Sequence, residues 1–151
     1  MMNFQPIVWG GLIAGTLDIC AACISAWLRA GVGPTRVLHS VASGLLGPAA
    51  FEGGAKTAVL GLVLHFIIAT IWTVVFYLAS RKLLFLIERP VIFGLLYGIV
   101  VYLFMNFVVL PLSRVRMPAN PPPLSSRAIQ LFIIMFCIGL PIALIVRRFS
   151  R

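Results

Sequence analysis

The chain has 151 residues, of which 62% are hydrophobic and only 10% are charged. A soluble domain is about 45–50% apolar and about 25% charged, and a disordered chain is polar or highly charged, so this composition excludes both classes. Twelve basic residues against three acidic ones give a formal charge of +9, but the bases are scattered between apolar runs, which argues against a nucleic-acid-binding protein. An integral membrane protein remains.

Four stretches are long and apolar enough for transmembrane helices, which need about 20 such residues. The predicted spans are residues 7–27, 55–79, 90–110 and 128–146. The first is too long for the apolar region of a signal peptide, so we expect it to stay as an anchor. No stretch alternates as the strands of an outer-membrane barrel do. We therefore predict an all-α polytopic membrane protein, a single domain over 1–151 that forms a bundle of four transmembrane helices.

A short amphipathic helix is predicted between the first and second spans, over residues 35–46. Its apolar residues recur at helical spacing on one face and are Val37, Leu38, Val41, Ala42, Leu45 and Leu46. Its polar residues occupy the other face and are Arg36, His39, Ser40 and Ser43. Such a segment is expected to lie in the membrane interface with its apolar face in the lipid.

Prolines and serines mark the later helix boundaries. We expect Pro111 to end the third helix, and Ser125 and Ser126 to cap the fourth. Pro141 lies inside the fourth span, where a proline kinks a helix. The loop over residues 114–126 is rich in proline and is expected to be extended, like polyproline.

The basic residues do not decide the orientation by count. The side of the termini carries Arg81, Lys82, Arg89, Arg147, Arg148 and Arg151. The other side carries Arg29, Arg36, Lys56, Arg114, Arg116 and Arg127. Both sets are placed to meet anionic lipid headgroups. The α-amino group and the C-terminal arginines favour cytoplasmic termini under the positive-inside rule.

Asp18 is the most informative residue, because a carboxylate inside a span costs about 2.5–3.5 kcal/mol on insertion scales and marks a functional site by default. His65 in the second span is its candidate partner, since both lie about 13–15 Å below the same surface. Such a pair could relay protons, form half of a metal site, or simply lock two helices by a hydrogen bond. Asn106 in the third span lies toward the same surface and completes the predicted polar site.

Further polar residues lie toward that surface, and we interpret them as the rim of a pocket partly covered by the amphipathic helix. These rim residues are His39, Glu52 and Gln130. Cys20 and Cys23 form a Cys-x-x-Cys pair, but they lie inside a span. Only Cys137 is available as a further thiol, which argues against a redox enzyme or a metal site. We predict no catalytic residues, metal or cofactor.

Two glycine pairs predict close helix packing. Gly11 and Gly15 on the first span, and Gly94 and Gly98 on the third, have the small-xxx-small spacing that lets helix backbones approach. The close approach could occur within one chain or between copies.

Four short segments resemble the YagU-type bacterial inner-membrane proteins. They are residues 11–15 (GLIAG), 65–68 (HFII), 94–98 (GLLYG) and 110–112 (LPL). The connection over 29–54 departs from that group in being shorter. The resemblance implies a bacterial inner-membrane location, points to His65 as a polar position, and implies little biochemistry.

Two function classes follow. The first is a non-enzymatic subunit or scaffold that packs against other membrane chains or copies of itself, favoured by the glycine pairs and the missing catalytic set. The second is a small oligomeric proton-coupled transporter or channel that uses Asp18 and His65. The polar residues at matched depth favour this alternative.

Overall fold

The computed structural model describes residues 4–150, so Arg151 of the C-terminal basic cluster lies outside the described part. Those residues contain helices and no strands. The helices are α1 (Gln5–Ala30), α2 (Pro34–Leu46), α3 (Gly54–Lys82), α4 (Phe85–Glu88), α5 (Pro90–Leu112) and α6 (Leu124–Phe149), with a 3₁₀ turn at Gly47–Glu52. Helices α1, α3, α5 and α6 are long and apolar enough to cross a membrane. The predicted all-α fold with four spanning helices is confirmed.

The spanning helices are longer than the apolar runs that predicted them. Helix α1 continues to Ala30 and α3 to Lys82, so Arg29, Arg81 and Lys82 lie in last helical turns. A basic side chain stabilises the C-terminal end of a helix and reaches the lipid headgroups from there. A prediction from apolar residues alone therefore places the ends of α1 and α3 about one turn too early.

The four spans pack as a curved row in which α1 lies between α3 and α6, and α6 packs against α5. The backbones of α3 and α5, at the two ends of the row, have almost no close contact. The buried core lies in the half of the bundle near the termini, where Phe76 of α3 meets Ile142 and Val146 of α6. The half near α2 is less tightly filled, and a partly open cavity lies there.

The predicted glycine pairs make close helix contacts inside a single chain. A Cβ atom on Gly15 of α1 would lie 2.8 Å from the Phe66 ring of α3, and one on Gly98 of α5 would lie 2.5 Å from the Met135 Cα of α6. Gly11 similarly faces Thr70, and Gly94 faces Ala143. Real side chains do not fit at such distances, so these positions hold the two helix pairs together at backbone range.

Pro111 and Pro141, the two prolines beyond the first turn of a span, are each preceded by a turn of π-helix. Met105–Val109 forms a π turn two residues before Pro111, and Met135–Gly139 forms one two residues before Pro141. A proline has no N–H to donate and its ring crowds the preceding turn, so a local widening of the helix relieves both problems. Helix α5 ends at Leu112, one residue after Pro111.

The predicted serine caps of the fourth span are wrong. Helix α6 begins at Leu124, directly after Pro123, and has no side-chain cap. Pro123 has the extended backbone angles φ −58° and ψ 153°, as expected for the proline-rich loop. The Ser126 hydroxyl instead accepts a hydrogen bond from the Arg29 guanidinium, which ties the end of α1 to the start of α6.

Helix α2 is present where the amphipathic helix is predicted. It packs on α3, where Gly61 leaves room for the backbone of Leu38. Its buried residues are His39, Ala42 and Ser43, while Leu45 and Leu46 are exposed. Exposed Leu45 and Leu46 are left to face lipid, as expected for the apolar face of an interfacial helix, while the polar His39 and Ser43 turn toward the protein.

Candidate functional site

The site begins where α1 and α3 approach most closely. The Nε2 atom of His65 lies 2.9 Å from the carbonyl oxygen of Gly15. A carbonyl can only accept a hydrogen bond, so Nε2 carries the proton and donates it. The absence of a side chain at Gly15 allows the two backbones to come close enough for this contact. His65 therefore locks α1 to α3, which is one of the roles that its position predicts.

Asp18 lies beside this contact without sharing it. Its Oδ2 atom is 3.8 Å from His65 Nε2, beyond the range of a hydrogen bond. The contact is within the range of an ion pair, and the Asp18 side chain is 18% exposed; none of the hydrogen bonds found among the described residues involves its carboxylate. Asp18 is the fourteenth of the 26 residues of α1, so it lies halfway along the span. The structure thus brings the predicted pair together but leaves the carboxylate available.

The Asp18 carboxylate lines a central cavity of about 300 Å³. All four spans contribute to its wall, and Ser40, Val41 and Gly44 of α2 cover it on the side away from the termini. Ser113 and Val115, in the loop after α5, complete this cover. The loop is held against α2 because the N–H of Arg114 donates a hydrogen bond to the carbonyl of Gly44 at 3.0 Å. His65 and Gln130 are the other polar residues of the lining. The apolar lining residues are Ile68, Ala69, Trp72, Val101, Met105, Val109, Leu110, Ile134 and Ile138.

Aromatic side chains close the cavity toward the termini and join α3 to α5. The Tyr97 hydroxyl donates to the carbonyl of Trp72 at 2.6 Å. The rings of Trp72 and Phe76 meet the Tyr97 ring edge-on, with centroid distances of 6.2 and 4.9 Å. Since the two helix backbones hardly touch, these side chains form most of the connection between the ends of the helix row.

A second cavity, of about 320 Å³, runs along the groove between α1 and α6. Asp18, Gln130 and Ile134 line both cavities, so the two meet at the carboxylate. The groove reaches Arg29, eleven residues along α1 from Asp18 and therefore about 16 Å away. The arrangement provides a path from the positively charged end of α1 to the carboxylate in the middle of the span.

The structure does not bring three of the predicted site residues to the cavity. Asn106 donates to the carbonyl of Tyr102 in its own helix at 2.9 Å, because the amide can satisfy itself locally. His39 is buried and its Nε2 contacts the Gly54 carbonyl at 2.8 Å, which clamps α2 to the start of α3. Glu52 is exposed in the 3₁₀ turn, where water can solvate its charge. Of the predicted rim, only Gln130 lines the cavity.

Sequence reasoning missed two groups of residues at this site. In the sequence, Trp72 and Tyr97 are not distinguishable from the other aromatic residues within spans. A signal for Tyr97 existed, however, because a tyrosine hydroxyl in a membrane needs a hydrogen-bond partner. Gly139 also passed unnoticed, yet it packs on Gly94 and Gly98 where α6 crosses α5. A signal was present in the sequence, since Gly139 and Ala143 have the small-xxx-small spacing within α6.

The thiols form no cluster with other ligands. Cys20, Cys23 and Cys137 are free, with Cys20 exposed on the outer surface of α1. Within residues 4–150 no group of three or more His, Cys, Asp or Glu side chains is placed to hold a metal ion. No protein-family model, curated protein or solved structure matches the chain.

Proposed function

We propose that this multi-pass membrane protein binds a small solute in its central cavity and couples the movement of that solute to protons carried by Asp18. The observation that carries the proposal is the Asp18 carboxylate, which faces two adjoining cavities and accepts no hydrogen bond from the described residues. Asp18 is the only acidic residue of the chain within a span, since Glu52 and Glu88 lie in the connections.

The energetics support a working role for this carboxylate. An ionised side chain in the bilayer centre is expensive unless it is paired, protonated or hydrated. Helix locking does not account for Asp18, because the hydrogen bond between α1 and α3 is made by His65 to the Gly15 carbonyl. A group that can exist as a neutral acid or as a paired anion is suited to alternate between a proton and a solute.

The path for the solute supports the same function. The groove between α1 and α6 leads from Arg29 to Asp18, and the central cavity continues beyond it. Each of the two π turns contributes to the cavity wall, with Met105 from the turn in α5 and Ile138 from the turn in α6. Such turns interrupt the regular hydrogen bonding of a helix and are frequent at functional sites. The residues that line the cavity come from all four spans and from α2 of one chain.

Proton flux into liposomes containing the purified protein tests this function. We expect pH-gradient-driven flux that is lost in Asp18→Asn, which keeps the size of the side chain and removes its charge. Glu88→Gln is the matched control, because it neutralises an exposed carboxylate outside the spans. Wild-type flux that is unchanged in Asp18→Asn would remove Asp18 from the mechanism and overturn the proposal.

A subunit or scaffold role is the second proposal, and the proline-rich loop favours it. Residues 116–125 are all exposed, and Pro123 has polyproline-like angles. Preformed proline-rich segments are recognised by aromatic grooves on partner proteins. Purification in mild detergent would test this role: co-purifying chains that are lost when Pro121, Pro122 and Pro123 are replaced by serine would support it. A preparation of this chain alone would count against it.

We further propose a bacterial inner-membrane location with both termini in the cytoplasm, in contact with anionic lipids. The resemblance to YagU-type proteins and the terminal arginines support this arrangement. A reporter enzyme that is active only in the periplasm, fused after residue 151, should be inactive. The same reporter inserted at Gly33, in the connection after α1, should be active, and the reverse pattern would overturn the orientation.

A further inference from the structure

We propose that the solute is a small organic cation with an apolar or aromatic body, whose charged group pairs with Asp18 in the central cavity. The inference rests on the proposed function and names the substrate class of the same site. The cavity volume of about 300 Å³ lies at the lower end of the range for small-molecule pockets, about 300–1,000 Å³.

The charges at the cavity favour a cation over an anion. Asp18 is the one carboxylate in the lining, and no Lys or Arg lines the central cavity. His65 offers no free proton at Nε2, because that atom already donates to the Gly15 carbonyl. A partly buried carboxylate gains from a nearby positive charge, since the attraction is screened less there than in bulk water. An anion would meet the same carboxylate with repulsion.

The walls of the cavity favour an apolar body on that cation. Ile68, Val101 and Ile138 provide branched apolar surface, and Met105 provides a flexible thioether that adapts to different shapes. Trp72 adds an indole to the wall, and indole is the best aromatic partner for a cation. The ring is held in place by edge-on contacts with Tyr97 and Phe104, at centroid distances of 6.2 and 5.4 Å.

One carboxylate cannot hold a proton and a cation together. When the cation binds to the neutral acid form of Asp18, the O–H bond breaks, the carboxylate keeps the electron pair and the proton leaves to water. The other ionisable groups facing Asp18 are His65 on α3, Cys137 on α6 and Arg29 at the end of the groove. The cavity residues of α2 and α5 include no ionisable group. Cation and proton binding are therefore mutually exclusive at Asp18.

Tryptophan fluorescence in mild detergent provides a direct test of binding. The chain has three tryptophans, and Trp9 and Trp27 are exposed on the outer surface, so replacing both with phenylalanine leaves Trp72 as the sole reporter. Benzyltrimethylammonium is the cationic probe and benzenesulfonate is the anionic control. We expect a saturable signal with the cation alone, weakened at least tenfold in Asp18→Asn and unchanged in Glu88→Gln.

A second measurement does not depend on the folding of a variant. In weak buffer at a pH where Asp18 is protonated, binding of benzyltrimethylammonium to the protein should release up to one proton per cation, detected with a pH-sensitive dye. Release that is absent over the whole pH range in which the cation binds would overturn mutual exclusion. Equal binding of the two probes, or cation binding that is unaffected by Asp18→Asn, would overturn the cation site.

The outcomes separate this inference from the transport function. Binding of the cation that depends on Asp18, without any proton flux in liposomes, would support the substrate class and overturn transport. Proton flux that depends on Asp18, with no binding of benzyltrimethylammonium, would support transport and overturn the organic cation as its substrate.

Discussion

The Nε2 atom of His65 lies 2.9 Å from the Gly15 carbonyl and 3.8 Å from the Asp18 carboxylate, so the histidine donates its proton to the backbone rather than to the acid. The two polar side chains that share one depth in the membrane therefore have different roles. His65 holds α1 against α3, and Asp18 faces the cavities.

We expect His65→Ala to lower the free energy of unfolding by about 0.6–1.7 kcal/mol, the range measured for hydrogen bonds between membrane helices. His65→Gln should recover part of the loss, because its amide can donate to the same carbonyl. Asp18→Asn should change stability less than His65→Ala. Unfolding in mixed detergent micelles measures all three variants. A larger loss in Asp18→Asn than in His65→Ala would show that the carboxylate, not the histidine, locks the helices.

We expect Gly98→Ala to destabilise the bundle by about 1–3 kcal/mol, the usual cost of adding a methyl group to a filled core. Its Cβ would lie 2.5 Å from the backbone of Met135, which cannot turn aside as a flexible side chain would. Gly33→Ala is the matched control, since its Cβ would meet no atom within 4 Å and its φ of −72° suits alanine. Thermal unfolding in detergent that is equal for the two variants would contradict this contact between α5 and α6.

We expect Tyr97→Phe to lower stability by about 0.6–1.7 kcal/mol, because it removes the hydroxyl that bonds to the Trp72 carbonyl across α3 and α5. Tyr102→Phe, in the same helix, is the control: within the described residues its hydroxyl makes no hydrogen bond. Trp72 emission should shift in the Tyr97 variant and stay constant in the control. Equal behaviour of the two variants would mean that the hydroxyl does not join α3 and α5.

We expect Asp18→Cys to react with a water-soluble, membrane-impermeant thiol reagent when the three native cysteines are replaced by serine. The groove from Arg29 gives the reagent a route from the side of α2. Leu17→Cys is the neighbouring control, since Leu17 is 45% exposed on the outer surface of the bundle, where lipid excludes the reagent. Applying the reagent to each side of sealed vesicles also tests the orientation. Asp18→Cys that stays unlabelled from both sides would contradict the open path.

The candidate site was only partly predictable. The depth of Asp18 and His65 follows from counting residues along two helices, and the structure places them side by side as that count allows. Asn106 lies at a suitable depth but bonds to Tyr102 in its own helix, because a count fixes height and not the direction in which a side chain points. His39 lies on the polar face of α2 as predicted, but it bonds to the Gly54 carbonyl instead of lining the pocket, because the spacing along α2 does not show which neighbouring element that face meets.

The sequence by itself determined that the chain crosses a membrane four times, because each apolar run must satisfy its backbone hydrogen bonds within one helix. It also determined that glycines allow close approach and that Asp18 is an exceptional residue. Only the tertiary structure decided which helices use those glycines, that His65 bonds to Gly15, and that Asp18 faces a cavity. The physical reason is that hydrophobic length acts along one segment, whereas packing depends on the rotation of four helices about their axes at once.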